Sequence, residues 1–288
     1  MRDQRLRLAA LAGAVAAVGA LAAPAPVQAQ ANPFQRGPAP TAASVTSERG
    51  TFAIATQVVA AQTGFNGGTV YYPTTTTAGT FGVIVATPGF TEGQNVQAWA
   101  ANLLASNGFV VMTINTNTIL DFPTGRSNQM RAAMTWLTSQ SPAVVRDHID
   151  ASRQAFIGHS MGGGGTLESA RAMPALQAAV GLQPWDIGQN FSTIRVPTMI
   201  IGAASDPIAP AEQYSKPFYR QIPDASEKAY LEIAGAGHFV GTRFDPTEAR
   251  SLLSWLKRYV DNDTRYEQFL CPPPAGAGVE EYQNTCPA

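Results

Sequence analysis

The chain has 288 residues, 45% of them apolar, with 19 basic and 20 acidic side chains and a formal net charge of −1. That length and apolar content can bury a substantial core and fit one large α/β domain better than two small ones. The near-neutral balance excludes a strongly basic surface of the kind that binds nucleic acid.

Taken in chain order, residues 1–31 read as an export signal. Arg2, Arg5 and Arg7 precede an Ala/Leu/Val run over residues 8–23, then Pro24, Pro26 and small residues that allow cleavage after Ala29 or Ala31. The run of about 16 apolar residues is short for a ~20-residue membrane span, which makes an anchor the weaker reading. No later segment reaches that length, so a soluble, extracellular or periplasmic mature protein without a membrane span is expected. Loss of residues 1–31 removes three of the 19 basic and one of the 20 acidic residues, leaving 16 against 19, a net charge of −3.

Residues 32–47, rich in Pro, Ala, Ser and Thr, suggest an extended entry segment. Strand-like runs follow at 52–59, 69–72, 81–86, 109–114, 154–157, 178–182, 196–201 and 228–233. Several are continuously apolar, as expected of strands buried on both faces by helices. Helical candidates lie at 96–106, 127–139, 161–173, 210–221 and 246–261. The alternation predicts a doubly wound α/β fold with a mostly parallel twisted sheet. Residues 32–288 are expected to form a single domain. Its Pro-rich tail carries Cys271 and Cys286, which are expected to form one disulfide after export. Closing that loop would constrain the unfolded chain by roughly 3 kcal/mol in the entropic model. Two thiols with no nearby histidine are too few ligands for a metal, and no cofactor is implied.

The sharpest local signal is Gly158-His159-Ser160-Met161-Gly162, which follows the run 154–157 and precedes a segment of helix-forming composition. Strand, Gly-x-Ser-x-Gly and helix in that order make a nucleophile elbow, with Ser160 in a strained backbone conformation and glycines where a Cβ would collide. A serine hydroxyl needs a base, and the base a carboxylate to orient it. The chain has three histidines. His159 adjoins Ser160 and points elsewhere; His148 precedes the elbow strand at the opposite end of the sheet and reads as surface or structural. His238, in the Gly-rich loop after the run 228–233, is left as the base. On this fold the acid lies between serine and histidine. Asp206, at the end of the run 196–201, fits; Asp224 in the turn Ile-Pro-Asp-Ala and Asp186 just after Trp185 are its rivals.

An oxyanion hole needs two backbone N–H groups, expected from Met161 and, after the run 81–86, from Phe90. The Phe90 ring is expected at the cleft. Only 46 residues separate 160 from 206, which leaves no room for a lid domain. Phe90, Met161, Trp185, Ile208 and Phe239 would then surround an open cleft suited to extended, uncharged acyl chains or polymers.

With these residues assembled, the chain resembles the bacterial cutinase and polyester hydrolase family of α/β-hydrolases, which includes the PETases, over nearly the whole mature chain. The resemblance rests on Pro88-Gly89-Phe90-Thr91, Gly108 to Val111, Gly158 to Gly165, Pro184-Trp185, Asp206 before Ile208-Ala209-Pro210, Gly237-His238, Asp261-Asn-Asp-Thr-Arg-Tyr266 and the terminal cysteines. It implies a serine esterase with Phe90 and Met161 at the oxyanion hole and Trp185 beside the bound aromatic or acyl unit. His159 and Phe239 are cutinase-like, where the mesophilic PETase type carries tryptophan and serine. Both are taken as substrate-binding positions. Ala203 and Val240 stand where that type has an extra disulfide. The expected partner is a polymeric or small ester, and the expected state a monomer. A lipase or short-chain carboxylesterase, an acyltransferase on the same fold and a non-catalytic binding module are the alternatives.

Overall fold

A computed structural model of the chain describes residues 32–285 except residue 273. The expected export signal and Cys286, hence the expected Cys271–Cys286 pairing, lie outside the described residues.

The elements in order are α1 (Ala42–Val45), β1 (Ile54–Val59), β2 (Gly68–Pro73), β3 (Phe81–Thr87), α2 (Ala98–Ser106), β4 (Phe109–Ile114), α3 (Pro123–Ser139), α4 (Ala143–Arg146) and β5 (Ile149–His159). Then come α5 (Met161–Ala172), β6 (Ala178–Leu182), β7 (Thr198–Ala203), α6 (Ser215–Gln221), β8 (Lys228–Ile233), α7 (Pro246–Val260) and β9 (Val279–Asn284). Short 3-10 turns span Gln94–Gln97, His238–Thr242 and Thr264–Phe269.

The nine strands form one sheet in the order β1-β2-β4-β3-β5-β6-β7-β8-β9. Strands β4, β3, β5, β6, β7 and β8 run parallel; the β1-β2, β2-β4 and β8-β9 pairs are antiparallel. This is the α/β-hydrolase fold. Every residue of β3, β4, β6, β7 and β8 is buried, because helices cover both faces. On one face Ile84, Ile157, Val180, Ile201 and Leu231 pack with Leu103 and Leu104 of α2 and Leu252, Leu253 and Leu256 of α7. On the other, Val83, Val85, Phe156 and Ile200 pack with Met130 and Met134 of α3, Leu167 of α5 and Phe218 of α6. Each such side chain contributes about 1.5–3 kcal/mol of burial.

Several expected boundaries move. The entry segment contains α1, capped by reciprocal bonds between Thr41 and Ser44. β5 extends back to Ile149, which pairs with Phe81 before the register shifts, while Asp150 and Arg153 in the irregular stretch bond each other. α6 begins at Ser215 and not at 210. The Pro-rich tail, beyond the last expected strand, supplies β9, whose half-exposed Val-Glu-Glu-Tyr-Gln-Asn gives no continuous apolar signal and pairs with β8.

The motif Asp261-Asn-Asp-Thr-Arg-Tyr266 has a structural account. Asp261 is fully buried and bonds Arg153 of β5 at 2.5 Å and Lys257 of α7 at 2.8 Å. It clamps α7 to the start of β5, at the end of the sheet opposite Ser160. A depression of about 360 Å³ between the entry segment, Asn107 and Tyr266 is also at that end. Among the described residues no helix is long and apolar enough to cross a membrane.

Candidate active site

Five parallel strands deliver the expected site residues from their C-terminal ends: β3 to Phe90, β5 to Ser160, β6 to Trp185, β7 to Asp206 and β8 to His238. In an open α/β sheet this edge is where ligands bind. Ser160 sits between β5 and α5 at φ 54°, ψ −119°, in the positive-φ region that costs a side-chain-bearing residue on the order of 1–3 kcal/mol. The flanking glycines are required by close approach: a Cβ at Gly158 would lie 2.3 Å from the Gly162 carbonyl oxygen, and one at Gly162 would lie 2.3 Å from that of Thr87.

His238 Nε2 lies 2.9 Å from Ser160 Oγ, and Nδ1 lies 2.7 Å from Asp206 Oδ2. The other oxygen of Asp206 accepts the backbone N–H groups of Ile208 and Ala209, each at 2.8 Å. Burial pushes the Asp206 carboxyl up, but the bonds from His238 and these two N–H groups outweigh it and hold it below the usual carboxylate range. An ionised Asp206 accepts a hydrogen bond from Nδ1–H and so holds the proton on that nitrogen, leaving Nε2 free to accept from Ser160. The rival acids sit elsewhere. Asp224 is exposed and paired with Lys228 at 2.7 Å. Asp186 is buried with its Oδ1 on the Ile187 N–H, and burial and the neighbouring Glu168 push it up to about 7. His148 is buried at the start of β5 against Tyr72, its ring centre 5.4 Å from that of tyrosine.

Among the described residues the backbone N–H groups of Phe90 and Met161 meet no protein acceptor. They are the two expected to face an oxyanion. The loop bearing Phe90 is held on both sides: Glu92 takes the Gly89 N–H at 2.5 Å, and Thr91 N–H donates to the Ile119 carbonyl at 2.7 Å.

Around this centre the surface is apolar. Phe90, Ile208 and Phe239 are between 42% and 54% exposed, and Ile119, Leu120, Phe122 and Ile187 are still more so or similar at 52–58%. Apart from Val58 and Val144, every exposed large apolar side chain among the described residues thus belongs to loops at this one end of the sheet. Trp185 is half-buried, tied to the elbow by its N–H on the Ser160 carbonyl at 2.9 Å, and flanked by Tyr214 (6.0 Å, near-parallel) and Phe122 (6.2 Å). A cleft of about 380 Å³ opens beside His238, lined by Pro207, Ile208, Phe239, Val240 and Arg243.

One expected position needs correction. His159, taken as substrate-binding, is fully enclosed, its Nδ1 2.9 Å from Glu92 Oε2 and its Nε2 2.9 Å from the His238 carbonyl oxygen. The side chain after a strand's last inward residue turns under the neighbouring loop, not into the cleft. Sequence reasoning also missed Glu92, Phe122, Tyr214 and Arg126. An apolar run, Ile119-Leu120-Asp121-Phe122, in a segment read as loop was the available cue for Phe122; an acid three residues after Gly89 was the cue for Glu92.

A family model described as PETase: PET hydrolase-like matches residues 28–287. A bis(hydroxyethyl) terephthalate hydrolase of Streptomyces coelicolor is 49% identical over 293 residues, covering 100% of this chain and 94% of that protein. Cutinase cut1 of Thermobifida fusca is 46% identical over 281 residues, covering 96% and 87%, and cutinase 2 of Thermobifida cellulosilytica is 46% identical over 262 residues, covering 89% and 99%. Matches of this extent show that the chain is a carboxylic ester hydrolase belonging to the PET hydrolase-like family of α/β-hydrolases.

Proposed function

We propose that this protein is an exported serine esterase that cleaves polyester ester bonds through an acyl-enzyme at Ser160. The observation that carries the reading is His238 standing between Ser160 Oγ and an ionised Asp206, with the backbone N–H groups of Phe90 and Met161 left without a protein acceptor among the described residues. His238 Nε2 takes the serine proton as Oγ attacks the ester carbonyl. The N–H groups of Phe90 and Met161 hold the oxyanion. Collapse breaks the C–O bond, and the leaving alkoxide takes the proton from His238. Water, deprotonated in turn by His238, attacks the acyl-enzyme; the acid departs and Ser160 regains its proton. The chemistry needs only these groups and water.

The open apolar shelf supports a long, uncharged substrate over a small buried one. Relatives named for a terephthalate diester and for cutin support the same class. Residues 1–31 would direct export, which a polymer substrate requires, and residues 32–288 would act as a single monomeric domain with no nucleic-acid partner. The test is Ser160→Ala, assayed on p-nitrophenyl butyrate and on aliphatic polyester and amorphous PET films. Loss of release from all three is expected; retained hydrolysis would exclude Ser160 as nucleophile.

A further inference from the structure

Beneath the reacting groups lies a second, buried pair that the reaction steps above do not use. His159 is completely enclosed, and each of its ring nitrogens faces an acceptor: Nδ1 the Glu92 carboxyl at 2.9 Å, Nε2 the backbone carbonyl of His238 at 2.9 Å. A carbonyl oxygen only accepts, so Nε2 carries hydrogen. The Glu92 oxygen already accepts from the Gly89 N–H, so the remaining proton lies on the Nδ1···Oε2 line. Without that proton a lone pair would face a carboxylate in a site closed to water.

Glu92 also closes the turn that carries Phe90. Its side chain takes the Gly89 N–H at 2.5 Å, and its own N–H donates to the Gly89 carbonyl at 3.3 Å. Gly89 presses on the nucleophile, since a Cβ there would lie 2.8 Å from Ser160 Cβ. Burial alone would raise Glu92 and lower His159, yet their mutual bond and charges reverse both directions, leaving the carboxyl below its usual range and the imidazole above. The other titratable groups acting on the pair are His238, the buried carboxyl of Glu248 and Arg126.

We propose that Glu92 and His159 form a buried proton-sharing ion pair that acts as a positioning device, tying the oxyanion loop through Gly89 to the backbone of the catalytic histidine. The proposal rests on the roles given above to Phe90 and His238. It makes the two halves of the site one mechanical unit: the donor that receives the oxyanion and the base that takes the proton are set from a single buried cation, on opposite sides of Ser160.

Two measurements test it. In ¹⁵N-labelled wild-type protein, two-bond ¹H–¹⁵N spectra at pH 8 should show the His159 ring protonated at both nitrogens, assigned among three histidines by loss of the signal in His159→Gln. A neutral ring, protonated at Nε2 alone, would overturn the ion pair. Separately, Glu92→Leu should lower kcat on p-nitrophenyl butyrate about tenfold with KM within about twofold, and Glu92→Gln, which keeps an acceptor for the Gly89 N–H but cannot hold the ring as a cation, should recover part of it. Unchanged kcat in Glu92→Leu, or a Glu92→Gln as slow as the leucine variant, would overturn the positioning role. The spectrum of the wild type stands even if a variant folds poorly. An active Ser160→Ala protein would indict the assignment of the nucleophile instead, leaving the ring protonation to be judged by the spectrum.

Discussion

The guanidinium of Arg126, wholly enclosed on α3, donates through Nη1 to the carbonyl of Pro88, 3.0 Å away. The same group donates through Nε to the Asp121 carbonyl at 2.7 Å and through Nη2 to the Ile119 carbonyl at 2.9 Å. Burial pushes it down to about 10, although Asp121 and Glu92 oppose this, so it stays a cation at neutral pH. One planar fork therefore pins the two loops that carry Phe90 and Phe122. Arg126→Lys keeps the charge and loses the fork; it should destabilise the fold by about 2 kcal/mol and lower kcat several-fold. Thermal denaturation and esterase rates measured on one preparation check both, and a variant indistinguishable from wild type would show that the fork is dispensable.

Asp206→Asn preserves an acceptor for the N–H groups of Ile208 and Ala209 but presents an amide to His238 Nδ1. The imidazole then turns to the wrong tautomer. Activity on p-nitrophenyl butyrate should fall about 10³–10⁴-fold with little change in melting temperature. An Asp186→Asn protein, whose carboxyl makes no bond to His238, should keep its rate within a few-fold.

Phe122 stands beside Trp185 on the exposed shelf, away from the reacting atoms. Phe122→Ala should leave rates on a soluble short ester within about twofold and reduce product release from polyester film about fivefold. Equal losses on both substrates would mean that the ring supports the catalytic centre and not the polymer.

Glu248 is fully enclosed near the start of α7, and burial pushes it up to about 7 despite the bond from Gln183 at 3.1 Å. A carboxyl raised in the folded state stabilises the protein fully below its unfolded value, near 4.5, and that contribution is lost as pH rises through 7. The loss amounts to roughly 3 kcal/mol. Glu248→Gln removes the titration; it should melt like wild type at pH 4.5 and about 6–12 °C higher at pH 8.5. A melting difference that does not change with pH would contradict this.

Asp261 faces two buried cations, Arg153 and Lys257. Asp261→Asn leaves Lys257 without a counter-charge and Arg153 with Asp150 alone, and should cost about 3–5 kcal/mol, read as a lower urea midpoint, while kcat at 25 °C is unchanged because the cluster lies at the far end of the sheet.

What could be read from the residues alone followed from chemistry with few solutions. Ser160 announces itself because only glycine fits at 158 and 162, and three histidines leave little choice of base. The parallel sheet was legible because strands such as β3 and β7 are apolar throughout. What escaped were contacts that depend on how loops fold over one another. Nothing in the neighbourhood of His159 says that Glu92, 67 residues earlier, closes over it, so its ring was assigned to the cleft. Arg126 looked like an ordinary helix residue because its acceptors are backbone carbonyls, which carry no sequence signature. β9 was hidden because an edge strand with one covered face need not be apolar.

The ring of exposed hydrophobic side chains at the sheet's C-terminal end carries a kinetic consequence. A shelf that protrudes toward a solid binds area, not molecules in solution, so the quantity that saturates is the number of free landing places on the plastic. Rates on film should level off as enzyme is added to a fixed surface, and grinding the film finer should restore proportionality.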